Sequence, residues 1–264
     1  MKKFLALFAV LVFSSSCGEY QNALKSEDVA VKFESATKMY EAKKYNKAIR
    51  LFEQIAPAYK GKPQAEKMFY MYSQSLYNTE QYYLAGYQFE SFVVSYPKSE
   101  KMEETSFLGA KSFTYLSPVY TLDQTDTYKA IDKLQNFIDR YPEGQKITEA
   151  NLLVKELREK LEKKAFENAK IYNIIGQYKA AMVAFDNFMI NFPGTPYKEQ
   201  ALYYKLNSAY LLAINSIPAK MEERLLNAKT SYAGLIKFKS NTEYKSKADQ
   251  MLARIETDLK QFSK

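Results

Sequence analysis

Beyond a short apolar run at its start, the chain repeats one arrangement of apolar positions. FVVSYP at 92–97, FIDRYP at 137–142 and FMINFP at 188–193 each read aromatic, three residues, aromatic, proline. Seven residues before each phenylalanine stands an alanine (Ala85, Ala130, Ala181), and three before it a large apolar residue (Phe89, Leu134, Phe185). An earlier copy keeps the columns without the proline (Ala48, Phe52, Ile55, Tyr59), and a later one is more decayed (Ala228, Tyr232, Leu235). Alanine followed by apolar residues at +4 and +7 is one face of a helix. Upstream of three copies lies another amphipathic stretch, with Ala36 and Met39, Ser73 and Leu76, or Ala169 and Tyr172 at matching offsets. KKY at 43–45, TEQY at 79–82 and IGQY at 175–178 mark the turns between them.

The predicted unit is therefore helix, turn, helix, stop. Proline ends the second helix because it has no amide hydrogen and pushes the preceding residue out of the helical region. The next helix is expected to restart on a cap, most clearly at Thr195-Pro196, threonine as N-cap and proline at the first helical position. A long helix is expected over 148–175, laced with charged pairs such as Glu156 and Lys160. The turn-rich stretch 116–126 is expected to be an insertion. Strand signals are essentially missing, so the fold class is all-α.

The first residues read MKKFLALFAVLVFSSSC: two lysines, an apolar run from Phe4 to Phe13, three serines, then Cys17. That is the layout of a secretory leader. Ten apolar residues make a helix of roughly 15 Å, about half a bilayer's hydrocarbon thickness, so a permanent span is not expected. Cys17 is the only cysteine in 264 residues. An odd cysteine in an exported protein pairs with another chain, stays reactive or is modified. The run Ser14–Cys17 resembles a bacterial lipobox, with Ser14 where leucine is commonest. The resemblance implies removal of residues 1–16, lipidation of Cys17 and a lipid anchor in the membrane.

Charge and composition exclude more than they assign. Lysine and arginine total 38 against 30 acidic residues, and loss of Lys2 and Lys3 with the leader takes the formal charge from +8 to +6. The charges are interspersed rather than blocked, so no nucleic-acid partner is expected. There is no histidine. This removes imidazole-based nucleophile systems and imidazole metal sites. Adjacent pairs such as Glu103-Glu104 and Glu222-Glu223 diverge by about 100° on a helix. Phosphate-cradling glycine loops are also missing. The expectation is no catalysis, no cofactor and no metal.

The repeat resembles the tetratricopeptide repeat, in which small residues let paired helices approach and bulky columns fill the space between pairs. Alanine-to-alanine spacings of 37, 45, 51 and 47 exceed the usual 34, so several helices or loops are extended. The resemblance implies about five helix pairs in a right-handed superhelix with a concave face for partner segments. The expected layout is a leader at 1–16, a lipidated linker at 17–28 and a repeat domain at 29–264. Within that domain the N-terminal repeats occupy 29–97, the middle repeat 98–142 and the C-terminal repeats 143–264.

A lipoprotein leader before such repeats resembles the BamD family of outer-membrane β-barrel assembly lipoproteins. Its more specific part spans 122–212, including DQTDTYKAIDKLQNFIDRYPEG and the long helix with Leu157, Leu161, Ala165 and Ala169, followed by Tyr172, Gly176 and Ala180-Ala181. The resemblance implies a non-catalytic scaffold on the periplasmic face of the outer membrane. It would dock the POTRA region of the barrel insertase through its C-terminal repeats, join accessory assembly lipoproteins and receive unfolded outer-membrane precursors in its N-terminal repeats. The alternative is a generic repeat lipoprotein in envelope maintenance.

Register places Phe33, Thr37 and Tyr40 of the first unit, and Lys67, Tyr70, Gln74 and Tyr77 of the second, on the wall facing away from the packing columns. These residues suit an extended peptide ending in an aromatic residue and a free carboxylate, which Lys67 or a tyrosine hydroxyl would meet. They are expected to matter less to the core than Phe69, Phe89 or Phe92, and Phe69, Tyr72 and Tyr96 are expected in the core. A basic C-terminal segment, 217–264, with ten cations and six anions, could steer a partner.

Overall fold

The computed structural model describes residues 18–262, all of whose regular structure is helical. Cys17 and the leader lie outside the described residues. A first helix, α1, holds residues 18–25. The segment expected as a linker is thus partly folded, because Tyr20 and Ala23 are buried in the first core cluster. Then come α2 (Val29–Glu41), α3 (Tyr45–Tyr59), α4 (Ala65–Asn78), α5 (Tyr82–Ser95), α6 (Met102–Thr114), α7 (Thr125–Arg140), α8 (Ile147–Ile174), α9 (Tyr178–Asn191), α10 (Lys198–Ile214), α11 (Pro218–Phe238) and α12 (Lys245–Leu259). The chain forms two compact units, one of residues up to 118 with 123–157, the other of 119–122 with residues from 158 onward.

In the first unit each helix packs on the next from α2 to α7, and the first helices of successive pairs also touch, α2 on α4 and α4 on α6. Ala48, Ala85 and Ala130 are fully buried, as are Phe52, Phe89 and Leu134 four residues on. Burying a phenylalanine contributes roughly 1.5–3 kcal/mol, so these columns dominate the fold's stabilisation. The start of α8 closes this core with Ala150, Val154 and Leu157 against Phe107, Phe113 and Phe137. In the second unit, Phe166 and Ala169 of α8 pack with Ala181, Phe185 and Phe188 of α9, and α10 packs on α9, α11 and α12. The decayed last copy keeps Ala228 and Leu235 buried, while Tyr232 is half-buried with its hydroxyl on Asp249 at 2.7 Å.

Three turns share one geometry. Lys44, Gln81 and Gln177 donate backbone N–H bonds to the carbonyls of Met39, Leu76 and Tyr172, five residues back, while Lys43, Glu80 and Gly176 bond three residues back. The central residues Lys43, Glu80 and Gly176 all have positive φ, of 56°, 60° and 79°. This is the Schellman ending of a helix, in which glycine is the unstrained residue.

A second recurrence was invisible in the apolar columns. Glutamate is the second residue of α4, α6 and α10, and each one accepts a hydrogen bond from the turn leading into the next first helix. Glu66 accepts from the Ser99 hydroxyl at 2.6 Å, Glu103 from the Gln145 amide at 2.7 Å, and Glu199 from the Thr242 hydroxyl at 2.5 Å. A carboxylate in a first helical turn also favours the dipole.

The expected cap at Thr195 is displaced. The helix opens at Lys198, and Thr195 instead holds a lead-in turn, its hydroxyl accepting from the Tyr197 amide at 3.2 Å. Thr242 does the same for Tyr244. Tightening this turn satisfies the orphan amides before the α-helix proper begins.

Candidate functional site

The first helices of the first unit, α2, α4 and α6, present the face on which the sequence placed its candidate residues. Tyr70 and Gln74, one turn apart on α4, converge with a residue that sequence reasoning missed, Glu104 of α6. The Tyr70 hydroxyl donates to the Glu104 carboxylate at 2.8 Å, and the Gln74 amide reaches both the Tyr70 oxygen and Glu104 at 3.1 Å. Burial, and then this bond to an anion, hold the Tyr70 hydroxyl well above the usual phenol range. Tyr40 of α2 joins the group electrostatically: burial first, then Tyr45 and Glu104, push its hydroxyl up.

The remaining candidates divide. Phe33 and Thr37 take no part in that hydrogen-bonded group: Phe33 packs at a tilt, 5.0 Å from Tyr59 of α3, and the Thr37 hydroxyl donates to the Phe33 carbonyl at 2.9 Å. Tyr77 packs edge-on against Tyr82, Phe89 and Tyr115 at 5.6–6.3 Å. Tyr70 packs at a tilt 6.2 Å from Phe92. The expectation that these tyrosines matter little to the core is therefore corrected: Tyr70 and Tyr77 are the outer layer of it. Conversely, Phe69 and Tyr96, expected in the core, are half-buried and line a separate cleft of about 750 Å³ with Pro57 and Tyr72.

Lys67 is exposed and opens onto a cleft of about 500 Å³ between the start of α4 and the 98–101 turn. Pro63, Glu66, Tyr70, Lys98, Ser99, Glu100 and Lys101 complete its rim. The Lys101 ammonium lies 5.3 Å from the centre of the Tyr70 ring and 3.4 Å from Glu104. Lys67 and Lys98 have no acidic partner among the described residues. The cleft therefore places three cations beside an aromatic wall, together with two carboxylates, Glu100 and Glu66, the latter accepting from the Ser99 hydroxyl, and the Tyr70 hydroxyl is already committed to Glu104. A ligand carboxylate would be met by the lysines, not by that hydroxyl. Lys98 and Lys101 were missed because they follow Pro97, where the chain turns back; the signal was their position, one and four residues after the proline.

Further along the same face, Lys111 of α6 donates to Glu149 of α8 at 2.7 Å, and Lys146 adds a 3.2 Å contact. The two lysines hold the Glu149 carboxyl below its ordinary range. Among the described residues no group of three or more acidic, histidine or cysteine side chains could hold a metal ion, and no helix is long and apolar enough to cross a membrane.

A family model described as YfiO, "Outer membrane lipoprotein", matches residues 25–225, which contain the whole of this face. The chain belongs to the YfiO family of outer membrane lipoproteins. Among curated relatives of this YfiO-family chain, it is 25% identical over 179 residues to the putative outer membrane protein assembly factor BamD of Aquifex aeolicus, covering 68% of this chain and 56% of that protein. It is 23% identical over 219 residues to the outer membrane protein assembly factor BamD of Rickettsia prowazekii, covering 81% of this chain and 87% of that protein. The chain thus matches little more than half the length of the Aquifex protein and most of the Rickettsia one.

Proposed function

We propose that this chain is a non-catalytic scaffold of outer-membrane β-barrel assembly, held by a lipid on Cys17 at the periplasmic face of the outer membrane. In this reading the cleft between α4 and the 98–101 turn receives the C-terminal end of an unfolded barrel precursor. Its terminal carboxylate meets Lys67, Lys98 and Lys101, and its final aromatic residue lies against Tyr70. The C-terminal repeats dock the POTRA region of the barrel insertase, and accessory assembly lipoproteins join the complex. The observation that carries the reading is the grouping of three cations, against two carboxylates, with an aromatic wall in one cleft, within a chain whose family is that of outer membrane lipoproteins. A partly desolvated carboxylate paired with lysines gains charge-assisted hydrogen bonds about twice as strong as neutral ones.

Affinity purification from detergent-extracted membranes tests the assignment. The native chain is expected to bring down a POTRA-bearing insertase, and Cys17→Ser is expected to move the chain to the soluble periplasmic fraction with loss of the acyl mass. Membrane pelleting and mass that do not change in Cys17→Ser would remove the anchor from the account, and purification without an insertase would remove the assembly role.

A further inference from the structure

A second built cleft, of about 420 Å³, lies between the second helices α5 and α7 and shares no lining residue with the first. Thr105, Ser106, Gly109 and Ala110 of α6 line it from below, small side chains that keep the floor low. Two contacts pin its walls together at one end: the Lys129 ammonium donates to the Tyr87 hydroxyl at 2.6 Å, and Lys133 pairs with Glu90 at 2.6 Å. Toward the other end the cleft opens between Val94, 81% exposed, and Arg140. Arg140 is exposed and has no acidic partner among the described residues, although a guanidinium is the side chain best shaped to hold a carboxylate. The Ser106 hydroxyl oxygen, on the floor, is buried without a hydrogen-bond partner. A buried hydroxyl left unpaired is costly, and native folds seldom keep one without a use.

These features have one occupant in common. Val93 and Val94 form an apolar wall, Asn136 and Phe137 of α7 line the cleft as well, and Arg140 of the same helix carries unspent positive charge. A purely apolar ligand would leave Arg140 and Ser106 unmet, and a basic one would be repelled. We infer that the cleft is a second peptide-docking site, for a short acidic segment of a partner protein. One aliphatic or aromatic side chain of the segment enters beside Val94, a side-chain carboxylate meets Arg140, and a backbone carbonyl accepts from Ser106. The volume falls in the range that holds a few side chains rather than a folded domain. The inference stands apart from the carboxyl-terminus reading of the first cleft, since the recognised carboxylate is internal.

The test uses a fluorescein-labelled twelve-residue peptide of leucine, alanine and glutamate, acetylated and amidated so that it has no free terminal carboxylate. A twin replaces every glutamate by lysine. Anisotropy titration of the purified mature chain is expected to show the glutamate peptide binding at least tenfold more tightly than the twin, and weakening as salt rises. Val94→Glu and Arg140→Glu, both at exposed positions, are each expected to lower that affinity at least tenfold with unchanged thermal melts. The triple variant Lys67→Ala, Lys98→Ala, Lys101→Ala is expected to leave it unchanged. Equal binding of the two peptides, no binding of the glutamate peptide at millimolar protein, or native affinity in a folded Val94→Glu, Arg140→Glu double variant would overturn the proposal. Loss of binding in the triple lysine variant alone would move the acidic peptide to the first cleft and overturn it as well.

Discussion

Single residues carry the strain and the protonation chemistry of this fold. Gly176, Glu80 and Lys43 occupy the same left-handed position at three turns, but only Gly176 does so without a side-chain penalty. Gly176→Ala is therefore expected to destabilise the chain by about 1 kcal/mol, while Glu80→Gly stays within about 1 kcal/mol of native, since relieved strain and added unfolded-state entropy oppose each other. Urea denaturation of both variants checks the asymmetry. The tyrosines give a pH signature. Burial and the neighbouring Glu53 push the Tyr72 hydroxyl up to about 12, and burial, then Glu243, push Tyr244 up to about 12. A phenol whose folded value lies above its unfolded value of 10 stabilises the fold fully below pH 10 and loses that contribution as pH rises toward 12. The urea midpoint is expected to fall between pH 10 and 12, with part of the tyrosinate absorbance appearing only as the chain unfolds.

At the scale of elements, the alanine column is the packing rule. Ala130 and Ala181 have no exposed surface, so Ala130→Leu and Ala181→Leu are each expected to cost roughly 1–3 kcal/mol by overpacking, and melts at native temperature would show the register to be misread. The column was legible because burial imposes a helical period on residue size. The long α8 was legible for the same reason, its predicted span of 148–175 differing by one residue at each end from Ile147–Ile174. What was not legible depended on partners far away in sequence. Helix 18–25 is too short to announce itself, and only the pocket that buries Tyr20 and Ala23 makes it helical. The lead-in turn at Thr195 looks in sequence like a cap, since the same hydroxyl serves either geometry. The glutamate latches pair residues 33 to 43 apart, beyond any local pattern.

For the molecule as a whole, the candidate site was half readable. Register put Tyr70, Gln74 and Lys67 on one face, as found, because three- and four-residue spacing fixes which side of α4 they share. Glu104 could not be foreseen, since its role depends on α6 packing beside α4, and it changes the chemistry by accepting the Tyr70 hydroxyl's hydrogen bond. Nor could a register argument separate exposed tyrosines from ones that seal the core, which is why truncating Tyr70 and Tyr77 would confuse binding with stability. Substitution of the exposed lysines avoids that difficulty. The most direct measurement is the affinity of the purified mature chain for a ten-residue peptide ending in phenylalanine, with a free or an amidated terminus. The free-terminus peptide is expected to bind at least tenfold more tightly, and Lys67→Ala, Lys98→Ala, Lys101→Ala together to erase that difference while the thermal melt stays native. Equal affinity for the two peptides, or a tenfold preference that survives in the folded triple variant, would contradict the cleft's assignment.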